Sequence, residues 1–586
     1  MEIELNTLID YVNGSEDLTQ TARSNAERNR DYYDGKQFTD EELEVFAKRK
    51  QPPIVINRIK PKIDHLLGME RNARTDPKAF PRNPSEKDQE SAAAATESTR
   101  YVEEENNFDQ LSSQCFEEYL IEGTEMVDVV VEPKGPIYDI VINRYKWDRI
   151  IYDPYSREKD FSDKKYMGGV VWTDEDDALT RFPGSENIIA ETYNHESADT
   201  HDDKPHWGDP KRKRVKLCLM YFLHKGTWMY AWFTRGGFLL GPKVSPYLDE
   251  DGSPECALIA QSAYVDREGG RYGVVSNYIG PQDEINHRRS KALHLISHRQ
   301  TYANRGAVED TRKLKQELAK PDGHAELNQG IFGQDFGIIP TNDMAQGNFA
   351  LLEEAKREID AVGTNAALSG KENKNMSGRA LQSRQQSGLV ELGPIFDGHR
   401  HWKMRVYRAI WNRIKQYWTA EKWVRITDDE RNIRFVGLNQ PIMQDGIQVG
   451  TRNNVAEMDV DILIEDAPDT VTLQHETYEM FAQSIQSSQQ QVPLEILVEM
   501  MPGFTKKKQV LDRLQKISEQ NQAQQQKTEQ LALQKANLEM NETQVGIQSE
   551  LMDIKKTNAE ILKIFSEIVG GPPRDATTTK QNLSVP

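Results

Sequence analysis

Cysteines are few in this sequence, and long hydrophobic runs are missing. The three cysteines, Cys115, Cys218 and Cys256, are odd in number and widely spaced, which argues against a disulfide framework or a zinc site and favours a reducing compartment. No run of 18 apolar residues occurs, so no membrane-spanning helix is predicted. The start, MEIELNT, is acidic and lacks the basic and apolar regions of a signal peptide.

Positive charge is also scarce. The chain has 74 Lys and Arg against 93 Asp and Glu, a formal net charge of -19. Proteins that bind DNA tightly are usually basic, because the counterions that they displace drive binding. At 586 residues the chain is too long for one hydrophobic core, so several lobes are expected. The composition therefore predicts a polar, multi-lobed protein that holds nucleic acid only weakly.

Motifs for catalysis and cofactor binding are missing as well. Gly370-Lys371 is followed by Glu372, where a phosphate loop needs Ser or Thr. His475-Glu476 has no second histidine four residues later, so the helical zinc motif fails. The histidines and aspartates at 201–206 fit a solvated turn better than a metal site. We expect no enzyme activity, no cofactor and no metal.

One carboxylate cluster leaves two interpretations open. Asp153, Asp160 and Asp163 lie close together in YDPYSREKDFSD. They resemble the carboxylates of a two-metal nuclease, which would make the protein a metal-dependent DNA-processing enzyme. Capping of turns by the same side chains is the simpler interpretation.

Hydrophobic periodicity predicts three successive segments in the first half of the chain. Residues 1–20 carry little pattern and are predicted to form an adaptable arm, whereas 21–125 have helical composition. From 126 to 280 short β-branched runs alternate with turn residues, which is typical of a strand meander. A turn at His224–Gly226 is expected between two of these strands.

Residues 281–305 carry a net positive charge, opposite in sign to that of the whole chain. They begin with proline and acidic residues, as helices often do. Five basic side chains stand against Asp283 and Glu284, a local net charge of +3. The basic residues are Arg288, Arg289, Lys291, Arg299 and Arg305. Residues 306–350 are predicted to form a compact insertion of helix and β-like pieces that follows this helix.

Residues 351–419 are predicted to form a helix, a polar loop and a longer helix that kinks at Pro394. Apolar residues recur every three or four positions in both helices. The stripes are Leu351, Leu352, Ala355, Ile359 and Val362, then Trp402, Val406, Ile410, Ile414 and Trp418. Among the charged residues of the second helix, Arg413 is expected on the polar face. Return strands follow up to residue 469.

Residues 470–570 are predicted to be helical, and 506–568 contain no proline. Apolar residues are so sparse there that a single helix cannot fold alone, which favours packing against other copies of the chain. An exposed or partly disordered helical tail is the alternative. Residues 571–586 are expected to be a disordered terminus.

Several short segments together resemble the portal proteins of tailed bacteriophages, in particular those of short-tailed phages. They occur in the order of that family between about residues 25 and 480. The segments are RNRDYYDG (28–35), PIVIN (53–57), LGMER (67–71), VIN (141–143), DP (153–154), DFSD (160–163), GPQDEIN (280–286), SGRA (377–380) and the strand-to-helix passage 459–469.

The resemblance implies an α+β subunit with wing, stem, clip and crown. The wing would comprise helical and β-rich parts, 21–125 and 126–280, and the long kinked helix with its return strands, 378–469. The stem would be the two helices at 281–305 and 351–366. The clip would be 306–350, the tunnel loop 367–377, and the crown or barrel 470–570.

The resemblance also implies a function as a structural DNA conduit in the virion, at one vertex of the capsid, assembled in the host cytoplasm. Twelve copies would form a ring through which double-stranded DNA is packaged and ejected with weak, non-specific contacts. The partners would be the large terminase subunit, the major capsid and scaffolding proteins, and a tail adaptor. A helical scaffolding or adaptor protein is a further alternative, which the β-rich middle disfavours.

Within this ring, the tunnel loop would meet DNA through Lys371, Asn373, Lys374 and Asn375. The five basic residues of 281–305 would either face the channel or bridge neighbouring subunits, and bridging is favoured.

Overall fold

The computed structural model divides the chain into two compact units, Met1–Leu473 and Gln474–Pro586. In the second unit the described residues form one helix at 546–564. The residues described are 3–72, 77–82, 86–134, 137–194, 207–297, 301–318, 320, 322–324, 326, 328, 331, 333–339, 342–361, 378–427, 433–444, 447–458, 460–464 and 546–564.

Helices and antiparallel sheets alternate in the first unit, which confirms the α+β class. Its described α-helices are α1 (Leu5–Leu18), α2 (Gln20–Asp34), α3 (Asp40–Lys48), α4 (Ile59–Asn72), α5 (Glu86–Glu105), α6 (Phe108–Ile121), α7 (Glu175–Arg181), α8 (Glu186–Asn194), α9 (Ser276–Ser297), α10 (Thr311–Leu318), α11 (Asn342–Ala361) and α12 (Gly378–Tyr417).

The described strands are β1 (Pro77–Pro81), β2 (Thr124–Lys134), β3 (Ile137–Tyr145), β4 (Ile150–Tyr152), β5 (Tyr166–Asp174), β6 (Gly208–Asp209), β7 (Arg214–His224), β8 (Thr227–Thr234), β9 (Gly237–Val244), β10 (Leu258–Ser262), β11 (Tyr264–Val265), β12 (Arg271–Tyr272), β13 (Thr301–Ala303), β14 (Phe336–Ile338), β15 (Lys422–Thr427), β16 (Ile433–Leu438), β17 (Gln440–Gln444), β18 (Ile447–Arg452) and β19 (Val460–Ile464).

The largest sheet has the order β4-β5-β7-β8-β9, with β6 paired to β7. The predicted turn joins β7 to β8, where Lys225 (φ 51°) and Gly226 (φ 82°) both adopt the positive φ of a tight hairpin. Helix α1 covers one face through Leu8, Ile9 and Val12, which are buried with residues of this sheet. The prediction of an adaptable arm at 1–20 is therefore wrong for this helix.

Helix α12 packs on the sheet β10-β2-β3. Its predicted apolar stripe is confirmed, because all five residues from Trp402 to Trp418 are buried. Helical structure continues through Pro394. Arg413 was expected on the polar face but is fully buried, and its charge is compensated by an ion pair with Glu255, whose side chain is 27% exposed.

The central helices differ in extent from the prediction. Helix α9 begins before Pro281, which lies within it, and ends at Ser297 rather than 305. Helix α11 begins at Asn342, nine residues before the predicted start at 351, and thus shortens the intervening insertion. The insertion contains α10 and the two-stranded pair β13-β14. The predicted tunnel loop, most of 470–570 and the terminus 571–586 lie outside the described residues.

Candidate functional site

Helices α9 and α11, the pair predicted to line a channel, share an apolar contact. Ile285 of α9 belongs to the same buried cluster as Leu352, Ala355 and Ile359 of α11. The steps of three and four residues between these α11 side chains place them on one face, as the periodicity predicts. Leu351 lies at the margin of this stripe and is 42% exposed.

A row of polar side chains attaches α9 to residues 54–58. Three side chains on one face of α9 each accept a hydrogen bond from a backbone N–H of that segment. The bonds run from Ile54 N to Ser290 Oγ (2.9 Å), from Ile56 N to Asn286 Oδ1 (3.0 Å) and from Arg58 N to Gln282 Oε1 (3.0 Å). Four residues of a helix and two residues of an extended segment each advance the chain by about 6 Å. Every second backbone amide of residues 54–58 therefore lies opposite every fourth residue of α9. We call Gln282, Asn286 and Ser290 the polar ladder.

The remaining polar atoms of the ladder are also engaged. Gln282 donates to Ile56 O (2.8 Å) and to Asn286 Oδ1 (3.1 Å), and Asn286 donates to Gln37 Oε1 (2.6 Å). Gln37 in turn donates to Tyr32 O (2.8 Å). All three ladder side chains are fully buried. Buried polar groups that are satisfied in this way fix one relative position of their elements.

Helix α2 holds the start of α9 through a second set of contacts. Tyr32 donates its hydroxyl hydrogen to Asp283, and Arg28 forms an ion pair with the same carboxylate (3.3 Å). Asn29 donates to Ser276 Oγ (2.9 Å) and is itself buried. Burial and the bond to Asp283 raise the pKa of Tyr32 to about 12, so its hydroxyl remains a donor at neutral pH.

Residues 54–58 also approach α11. Arg58 Nη1 lies 2.7 Å from Asp360 Oδ2. One segment thus contacts both helices of the pair, one through backbone amides and the other through an ion pair. The segments 28–35, 53–57 and 280–286, which are far apart in sequence, meet at this site.

The predicted basic residues occupy different environments. Arg288 pairs with Glu284 one turn earlier on α9, and the guanidinium of Arg289 lies 5.9 Å from the ring of Phe349 on α11. Lys291 is exposed on α9, whereas Arg305 is exposed beyond β13 and is not part of the helix. Their roles at a channel or between subunits stay a prediction. The other predicted site residues, Arg299, Lys371, Asn373, Lys374 and Asn375, lie outside the described part of the chain.

The three aspartates that left a nuclease interpretation open cap turns. Asp153 accepts from the N–H groups of Tyr155 (3.0 Å) and Lys165 (3.1 Å), and Asp160 accepts from that of Ser162 (3.0 Å). Asp163 accepts from Ser156 Oγ and Arg157 N, both at 2.6 Å. Within the described ranges no three His, Cys, Asp or Glu side chains form a metal-binding group. Capping is the interpretation that the geometry supports.

Two arginines fix the 153–163 segment. Arg271 is 3% exposed and donates to Ser156 O (3.2 Å) and Glu158 O (3.2 Å). Arg405 of α12 donates to Asp160 O (2.9 Å) and to Ala260 O (2.6 Å). Arginine suits this role because its several N–H groups diverge in one plane. The segment is thereby attached to both β12 and the long helix.

Sequence reasoning missed a buried hydrogen-bonded row between α6 and α12. Ser112 Oγ lies 3.1 Å from His399 Nε2, and His399 Nδ1 lies 2.9 Å from Glu125 Oε2. Burial raises the pKa of Glu125 and lowers that of His399, which favours a neutral pair. Although the order resembles a hydrolytic triad, Ser112 is fully buried inside a helix and has no access to a substrate in this conformation.

Replacing Glu118 by glutamine is expected to flatten the pH dependence of stability. Burial raises the pKa of Glu118 from 4.5 to about 8, although Arg144 lies 3.4 Å away. Between these two pH values the folded chain keeps a proton that the unfolded chain releases. Its contribution to stability is therefore fully present below pH 4.5 and is lost as the pH rises through about 8.

Thermal unfolding measured across this pH range tests the prediction. The Glu118→Gln variant should lose less stability on going to high pH than the unchanged protein. Glu186→Gln, an exposed position on α8, is the matched control and should leave the slope unaltered. Equal slopes for Glu118→Gln and the unchanged protein would show that folding does not raise the pKa of this carboxyl.

Comparison with known proteins confirms the family resemblance. The chain matches the family model described as phage P22-like portal protein over residues 10–225 and 223–563. It is similar to a portal protein of Helicobacter pylori bacteriophage KHP30, with 21% identity over 413 residues, which cover 70% of this chain and 66% of that relative. The match thus spans just under two thirds of the relative's length. The chain belongs to the P22-like family of phage portal proteins.

In the described part of the structure, no helix has the length and apolar character that crossing a membrane requires.

Proposed function

We propose that this protein is the structural DNA conduit at the portal vertex of a phage capsid. Twelve copies form a ring through which double-stranded DNA is packaged and ejected. Membership of the portal family carries this proposal, and two features support it: buried hydrogen bonds brace α9 against residues 54–58, and α9 and α11 share an apolar cluster. A channel wall must keep its shape while DNA moves past it, and satisfied buried polar contacts provide such rigidity.

In this ring α9 and α11 are the stem, and the residues between them, with β13-β14 and α10, form the clip that docks the large terminase subunit. The tunnel loop, 367–377, meets the moving DNA. The wing contacts capsid and scaffolding proteins, and a tail adaptor binds after packaging. The net charge of -19 per copy supports a channel that does not retain DNA, because each strong phosphate contact would add to binding.

The helix at 546–564 supports association between copies. It exposes Ile547 (54%), Leu551 (51%), Ile554 (58%) and Ile561 (49%), which are spaced four, three and seven residues apart. This is the heptad spacing of a helix that packs on partner helices, with Asn558 at the intermediate core position. Single asparagines at such positions fix the register of a helical bundle at some cost in stability. We assign this helix to a crown or barrel formed by the copies together.

The oligomeric state tests the proposal. Light scattering coupled to size exclusion should give a mass of about 0.8 MDa, which is twelve chains of 67.2 kDa, and negative-stain images should show rings with a central hole. Incubation of the rings with DNA and magnesium should leave the DNA intact. Solitary particles without a hole would contradict the proposal, and magnesium-dependent cleavage by such particles would favour the nuclease alternative instead.

A further inference from the structure

The helix at 546–564 exposes apolar side chains beyond the single seam that a two-helix coiled coil uses. With Ile547 and Leu551 at core positions d and a, Leu562 falls at position e and Ile564 at position g, which flank the core. These two side chains are 70% and 55% exposed. Because positions e and g are usually charged, apolar residues there indicate that the flanks of this helix also pack against other helices.

Two rows of side chains run along this helix, one on each side of the seam. The first row joins positions d and g, and the second row joins positions a and e. The first row is Ile547, Glu550, Ile554, Thr557, Ile561 and Ile564, and the second row is Gln548, Leu551, Lys555, Asn558 and Leu562. All of these residues are exposed in the single chain. A helix with a contact row on each side meets a different neighbour on each side, which suits a ring of helices rather than a pair.

The two rows carry opposite charges. Glu550 is the charged residue of the first row, and Lys555 is that of the second. Neither forms an ion pair within the described residues, whereas Asp553 and Lys556 pair with each other at 4.0 Å. In parallel helices a g residue lies beside the e residue five positions later on the neighbouring helix, and opposite charges there set the orientation. In an antiparallel pair Glu550 would face a g position, and no g residue of the described helix is basic.

We propose that the first row of one copy packs against the second row of the next copy, in parallel, with Glu550 of one copy paired to Lys555 of its neighbour. This contact uses two different surfaces of each subunit, as a ring that closes by rotation requires. The apolar residues of both rows supply the buried area, and the ion pair fixes the orientation. The contact rests on the proposed function, which supplies the ring, and specifies which residues of neighbouring copies meet in it.

Carbodiimide treatment of rings of the full-length protein, followed by mass spectrometry of the peptides, tests this contact. The reagent joins a carboxylate to an amine that touches it, so a link between Glu550 and Lys555 is expected. Within one helix these side chains are five residues apart and point about 140° away from each other, so the link can form only between copies. The pair Asp553 and Lys556 in the same helix provides an internal link, which shows that the reagent has reacted.

Matched variants separate this ion pair from other charges on the helix. Glu550→Gln should abolish the link, whereas Glu560→Gln, at an exposed position outside both rows, should leave it intact. Glu550→Lys places two cations together and should speed hydrogen exchange of the 546–564 amides in the rings by about three- to tenfold. Exchanging both charges, in Glu550→Lys/Lys555→Glu, should restore the protection.

The outcomes distinguish failure of this contact from failure of the ring. Rings that show the Asp553–Lys556 link but no Glu550–Lys555 link would overturn the contact and leave the proposed function standing. The contact would also be wrong if Glu550→Lys/Lys555→Glu exchanged as fast as Glu550→Lys alone. Solitary particles of the unchanged protein would contradict the proposed function itself, and the contact with it.

Discussion

Replacing Arg413 by alanine is expected to lower the free energy of unfolding of the first unit by about 3 kcal/mol, the lower end of the cost of breaking a buried ion pair, because the Glu255 side chain left behind is 27% exposed. Arg413 is fully buried in α12 and donates to Glu255 Oε1 at 2.5 Å and to Val129 O at 3.3 Å. Its guanidinium also lies 4.4 Å from the centre of the Tyr247 ring. Alanine would leave the Glu255 charge without its partner and open a cavity beneath the sheet.

Denaturant unfolding followed by circular dichroism measures the effect. Arg408→Ala is the matched control, because Arg408 is an exposed arginine on the same helix. The double variant Arg413→Met/Glu255→Leu should recover most of the loss, since apolar residues of similar volume often replace a buried ion pair at little cost. Equal losses for Arg413→Ala and Arg408→Ala would show that the ion pair contributes nothing beyond a surface contact.

Arg413 also shows that contacts between residues far apart in sequence cannot be predicted from local patterns. The apolar stripe from Trp402 to Trp418 could be predicted because helical periodicity is a local property of the chain. The burial of Arg413 could not be predicted, because its partner Glu255 is 158 residues away and no residue near Arg413 in the sequence indicates the ion pair. The turn at Lys225 and Gly226 was predictable for the opposite reason, since both turn residues lie between the strands that they join.

The candidate site likewise has features that could be predicted from the sequence and features that could not. The helices α9 and α11 were predicted in outline, but their ends were not, because Pro281 was interpreted as a start although α9 begins at Ser276. The polar ladder was not predicted although its residues recur every four positions, because Gln, Asn and Ser are usually exposed on helices and their spacing alone does not indicate burial. A polar row at four-residue spacing, on a helix that also carries the buried Ile285 and Ala292 on a neighbouring face, is a usable indication of buried hydrogen bonding. Helix α1 was missed because Leu8, Ile9 and Val12 are too few to stand out before the sheet that they cover is known.

Replacing Asn286 by alanine is expected to destabilise the first unit by about 2–4 kcal/mol, because several buried polar groups lose their partners together. The Ile56 N–H would lose its acceptor and the Gln37 carbonyl oxygen its donor, and Gln282 would lose one contact. Gln37 is only 3% exposed, so water cannot readily replace the lost bond. The neighbouring contacts at Ser290 and Gln282 would remain, so residues 54–58 should loosen without leaving α9.

Hydrogen exchange of the backbone amides distinguishes this from a general loss of stability. Protection should fall most at Ile56, and less at Ile54 and Arg58, whose bonds to α9 are retained. Asn277→Ala, at an exposed position on the same helix, should change neither stability nor protection. If protection fell uniformly across the first unit, or if both variants behaved alike, the ladder would not be what holds α9 to this segment. A selective fall at Ile56 would identify α9 as held at separate, independent points, because losing one bond would leave the other two intact.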